Sequence, residues 1–172
     1  MEERQPKGGV IVIPGILTSR PGALALILKV GLIAGTLDIG DALVFSHLRG
    51  VEPARIFQYI ASGLIGTRAF VLGTASVVLG VLLHYAIALG WTAIFYLASR
   101  RFAILLRRPL ISGVVYGVVV YLLMNLVVLP LSGVPHPIKT ATLASRINGV
   151  LAVVLFIGLT ISLLIRRNTA SS

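Results

Sequence analysis

Cysteine is absent from the 172 residues. That excludes a disulfide framework, thiolate metal ligation and thiol redox chemistry. Charge is scarce: 12% of residues carry it, and only five are acidic, Glu2, Glu3, Asp38, Asp41 and Glu52. A soluble domain has about twice that charged fraction. The sequence has no Gly-x-Ser-x-Gly elbow, no Gly-rich phosphate loop, and no His-Glu-x-x-His or Glu-x-x-His run. It therefore offers no motif for nucleophilic catalysis, phosphoryl transfer or a helix-borne metal pair. No metal or other cofactor is expected. An enzyme ranks behind the two functional readings given below.

What is present is apolar. Hydrophobic residues make up 57% of the chain and its mean hydropathy is +1.01. Such a composition belongs to a multi-span membrane protein. The net charge of +10 would suggest nucleic acid in a soluble protein. Here the basic residues gather at the ends of apolar runs, as Arg100-Arg101, Arg107-Arg108 and Arg166-Arg167. That is how topology signals facing anionic lipid are placed, so the expected partner is the bilayer and not nucleic acid.

The apolar runs predict four spans, at about 21–46, 69–99, 110–131 and 143–165. A shorter segment at about 53–66 has too little apolar length to cross, and is expected to be an interfacial or re-entrant helix. The predicted fold is all-α, a polytopic membrane helix bundle over 1–172 as a single integral membrane domain. The stretch from Met1 to Ser19, broken by Pro14 and Gly15, reads as an interfacial segment. Pro21 suits the first helical position, where its missing N–H has no partner to lose. Lys29 lies near enough to a span end to snorkel.

Orientation follows from the basic residues. Alternating spans put Arg4, Lys7, Arg20, Arg100, Arg101, Arg107, Arg108, Arg166 and Arg167 on one side. Arg49, Arg55, Arg68, Lys139 and Arg146 fall on the other. The richer side is cytoplasmic, so both termini are expected there.

The first span holds the chain's most informative stretch. Asp38 and Asp41 are the only acidic residues well inside an apolar run. At helical spacing Gly31, Gly35, Asp38, Ala42 and Phe45 share one stripe, with Asp41 beside it. A carboxylate at a helix centre costs roughly 2.5–3.5 kcal/mol on insertion scales, so it must face protein or water. The small residues mark the face a neighbouring helix can approach closely. In the second span Gly73, Gly80, His84 and Trp91 fall on one face. In the third, Gly113, Gly117, Tyr121 and Asn125 align. In the fourth, Ser145, Asn148, Gly149 and Ala152 do.

At about 1.5 Å per residue these polar groups fall in one slab, from the midplane to the outer leaflet. The candidate binding residues are Asp38, Asp41, His84 and Asn125, with Gln58 from the short helix. Asp38 and His84 are expected to meet across the first and second spans, with Gly35 and Gly80 allowing close approach and Asn125 nearby. Two readings follow. In one, these residues form a polar site of a small transporter or a proton- or ion-conducting protein. In the other, they only bridge helices in a structural or accessory membrane protein. The pairs Ala86-x-x-x-Gly90 and Gly158-x-x-x-Ser162 add an expectation of homo-oligomerisation.

Several motifs resemble one family. They are Ala34-Gly35-Thr-Leu-Asp38-Ile39, Gln58-Tyr-Ile-Ala61-Ser62-Gly63-Leu-Ile-Gly66, Leu79-Gly80-Val-Leu-Leu-His84, Tyr116-Gly117 and Met124-Asn125-Leu-Val-Val-Leu-Pro130-Leu-Ser132. These runs, between Gly31 and Gly133, resemble the YagU-like bacterial inner-membrane proteins, a family of uncharacterised function. The resemblance implies an integral inner-membrane protein and supplies no substrate, cofactor or catalytic residue.

Overall fold

The computed structural model describes residues 22–135 and 142–170. The expectations for Met1 to Ser19, Arg20, Pro21 and Lys139 lie outside them. The described residues are helical with no strands. We label α1 Gly22–His47, α2 Pro53–Ile65, α3 Thr74–Arg101, α4 Ile104–Arg107, α5 Pro109–Leu131 and α6 Leu143–Thr169. Among these, α1, α3, α5 and α6 are long and apolar enough to cross a membrane. The expected four-span bundle is the observed one, with the short helix between its first two spans.

Each span turns most of its surface outward, and that surface is large and apolar, as at Leu82, Leu110 and Leu126. A soluble fold buries such residues, whereas a span leaves them to lipid. Lys29 is exposed. The interior is built from small residues, because lipid-facing helices gain little by burying large ones and associate instead by close packing. Gly31 and Gly35 let α1 lie against α3: a methyl on Gly31 would meet the Leu89 side chain at 2.6 Å, and one on Gly35 would meet Ala88 Cβ at 3.0 Å. Gly113, Gly117 and Gly158 bring α5 and α6 into backbone contact, since a methyl on Gly117 would lie 2.6 Å from Val154 Cα. Buried hydroxyls close their own hydrogen bonds. Thr92 Oγ1 donates to the Ala88 carbonyl at 2.8 Å, and Ser162 Oγ donates across to the Pro109 carbonyl at 2.8 Å.

Ser162 and Gly158 are thus occupied inside the chain, and the expected self-association face of the fourth span is not free. Gly158 lies against Gly113 and Gly117. Ala86 and Gly90 do face outward.

The start of the second span differs from expectation. Residues 69–73 are not part of it. Gly66 (φ 62°) and Gly73 (φ 56°) both adopt left-handed backbone, which stops one helix and delays the next. Between them Gly66–Phe70 makes a 3₁₀ turn. Gly73 therefore lies outside α3 and not on its packed face.

Helix α2 packs into one end of the bundle, against α3, with Gln58, Ala61 and Ser62 buried. The contact is close because Gly80 has no side chain: a methyl there would overlap the Phe57 backbone. So Gly80 serves α2, not the approach of α1 that its place near His84 suggested. The C-terminal end of α2 is tied to the chain after α5, where Gly133 N–H donates to the Gly63 carbonyl at 2.9 Å. This satisfies one of the carbonyls a helix end leaves without an internal partner. A second tie joins α1 to α6. The Arg49 guanidinium donates to Ser145 Oγ at 3.0 Å and Thr142 Oγ1 at 3.2 Å, and stacks over Phe45.

Candidate functional site

Asp38 and His84 line the same cavity, of about 240 Å³, between α1, α2, α3, α5 and α6. Their placement follows from the glycine stripe. Gly35 puts the α1 backbone against α3, so the imidazole of His84 reaches the Gly35 carbonyl, with Nε2 2.8 Å away. A carbonyl only accepts, so Nε2 carries the proton. The helix ladder uses one lone pair of that carbonyl and His84 takes another. The ring is packed edge-on to Tyr85, with centroids 5.4 Å apart. Asp38 lies one turn beyond Gly35 on the same helix.

The rest of the wall is largely apolar. Trp91, Ile87 and Ala88 come from α3, and Val120 and Met124 from α5. Val153 and Ile157 come from α6. Tyr59, Ile60 and Gly63 of α2, with Ser132 and Val134, complete it at the end where Gly133 meets Gly63. Burial raises the Tyr59 phenol above its ordinary value, so it stays a neutral hydroxyl. Trp91 is fixed from behind: its carbonyl accepts from the Tyr116 hydroxyl at 2.5 Å, and the two rings lie edge to face.

Two irregularities of the spans face this cavity. Met124–Val128 in α5 and Val153–Leu159 in α6 are π-helical. Met124, Val128, Val153 and Ile157 all lie on the cavity wall. Wider turns of this kind recur at functional sites. Nothing in the residue pattern announces them, since both runs read as ordinary apolar helix.

No family model, curated protein or solved structure matches this chain. The geometry therefore carries the functional argument.

The remaining candidates are placed apart from the cavity. Asp41 is half-buried and accepts from Asn148 Nδ2 at 2.8 Å, bridging α1 to α6. Asn125 is exposed and donates to the Tyr121 carbonyl of its own helix at 2.8 Å. The expectation that it lies beside Asp38 and His84 is not met. Its position one turn from Tyr121 shares that residue's edge of α5, while Val120 and Met124 face inward. Gln58 is buried on the packed face of α2 and is not part of the cavity wall. The sequence pattern gave Trp91 and Tyr59 no site role, though both line the cavity. Their signal was register: Trp91 is two turns from His84 on the same face. Among the described residues no three His, Cys, Asp or Glu side chains gather as a metal-ligand set.

Proposed function

We propose that this chain is a small integral membrane transporter, moving a solute or protons by way of the Asp38–His84 cavity. The observation that carries the proposal is the placing of one carboxyl and one imidazole on the wall of a largely apolar cavity. A carboxyl in such surroundings is costly without a proton, a cation or water beside it. A group that must keep a positive partner is suited to exchange one. We further propose a bacterial inner-membrane setting with both termini cytoplasmic, on the asymmetry of the arginines. The YagU-like motifs support the same placement and add no ligand. Self-association through the outward Ala86-x-x-x-Gly90 face is part of the proposal.

The test is proton flux into liposomes containing the purified protein, driven by an imposed potential and run across pH. Wild type should exceed Asp38→Asn, which keeps shape but cannot ionise. Equal rates would remove Asp38 ionisation from the mechanism.

A second reading has its own support. Asp41 bonds Asn148 and His84 bonds Gly35, and both contacts join different helices. In a structural or accessory protein these bridges would be the whole role of the polar residues.

A further inference from the structure

We propose that the ligand of this cavity is a small organic monocation, an amine or quaternary ammonium on an apolar body. The cationic head sits at Asp38 and the body lies along Trp91. This rests on the reading of the cavity as a transport site and names the substrate class for it.

Charge selects the sign. Among the described residues Asp38 is the only carboxyl on the cavity wall. An anionic ligand would be repelled, and a neutral one would leave the carboxyl without a positive partner. His84 is an incomplete partner, because its Nε2–H is already given to the Gly35 carbonyl.

The wall selects an organic ion over an inorganic one. A bare alkali or divalent cation needs several oxygen ligands to replace its water shell. Among the described residues, the polar side chains of this wall besides the Asp38 carboxyl are His84, Tyr59 and Ser132, with the Trp91 indole, and the others are apolar. An organic cation needs a single counter-charge and brings apolar surface to match the wall. Trp91 adds an aromatic ring for the apolar body to lie along. The π-helical turns contribute Met124 and Ile157 to the wall. Methionine is flexible and polarizable, and adapts to apolar bodies of differing shape.

Trp91 also supplies the readout, since it is the chain's one tryptophan. The full-length protein, in a non-ionic detergent, is titrated with benzyltrimethylammonium while tryptophan fluorescence is followed. Neopentylbenzene, the uncharged compound of the same shape, is the control. Wild type should give a saturable change with the cation. Asp38→Asn should bind it about thirtyfold more weakly or worse, the low end for losing one partner of a buried charge pair. Its response to neopentylbenzene should be unchanged. No saturable response to benzyltrimethylammonium, equal affinity in Asp38→Asn, or neopentylbenzene binding wild type as tightly as the cation would each overturn the proposal.

Should Asp38→Asn not fold, Val128→Phe keeps the carboxyl and fills the cavity from α5. Weakened cation binding supports the assignment, and unchanged binding sinks it. The liposome flux assay separates this from the transport reading. Cation binding without Asp38-dependent flux would retire transport and leave the ligand class standing. Asp38-dependent flux without cation binding would retire the ligand class alone.

Discussion

Asp41 shows what a single polar pair contributes. Its carboxyl accepts from Asn148, and the two helices it joins are far apart in sequence. Interhelical hydrogen bonds in membranes average about 0.6 kcal/mol and reach about 1.7. Asp41→Ala and Asn148→Ala should each lower stability by an amount in that range. The double variant should lose less than the sum, because the second change removes a partner already gone. Thermal unfolding in detergent measures this, and strict additivity would mean the pair is not coupled. Asp38 differs in kind. It faces a cavity and not a fixed donor, so Asp38→Asn should change stability little while altering binding and flux. Unchanged binding and flux with a large loss of stability would assign it to the bridges.

At the level of elements, glycine decides which helices touch. Gly117→Val would drive a branched side chain into the Val154 backbone. Overpacking typically costs about 1–3 kcal/mol, and here neither backbone can move without parting α5 from α6. The expected result is a clear drop in melting temperature. The same substitution at Gly22, which has open space around it, should be nearly silent. Gly80→Ala tests α2 separately. A methyl there overlaps the Phe57 backbone, so α2 should detach before the spans do. Faster amide exchange or proteolysis confined to residues 53–65 would report it, and wild-type protection of α2 would refute the packing argument. The small-residue stripes of α1 and α5 were legible in the sequence because glycine at helical spacing has few other uses in a span. Their partners were not: Gly80 and Gly158 could have met several helices.

For the whole molecule, topology is the testable quantity. Arg100, Arg101, Arg107 and Arg108 fall at one end of the bundle, by α4, and Arg49, Arg55 and Arg68 at the other. A reporter active only in the cytoplasm should work when fused at Ser172, and a periplasm-only reporter when fused after Gly133. Changing Arg100, Arg101, Arg107 and Arg108 to Gln should yield mixed orientation, because it removes the excess of basic residues on the cytoplasmic side. A single unchanged orientation would show that the bias lies elsewhere.

The four spans, the short helix and the inward placement of the Asp residues were determined by the sequence, through local quantities. Run length fixes what can cross a bilayer, and the cost of a charge in hydrocarbon fixes which way it must face. The partner of each buried group was decided only by the tertiary structure. Asp41 found Asn148, His84 found the Gly35 carbonyl, and Asn125 turned to its own helix. Rotation about each helix axis was not readable from residue counting, and a modest rotation moves a side chain from cavity to lipid. The π-helical turns of α5 and α6 put Met124, Val128, Val153 and Ile157 on the cavity wall, and the cavity exists only once those helices meet.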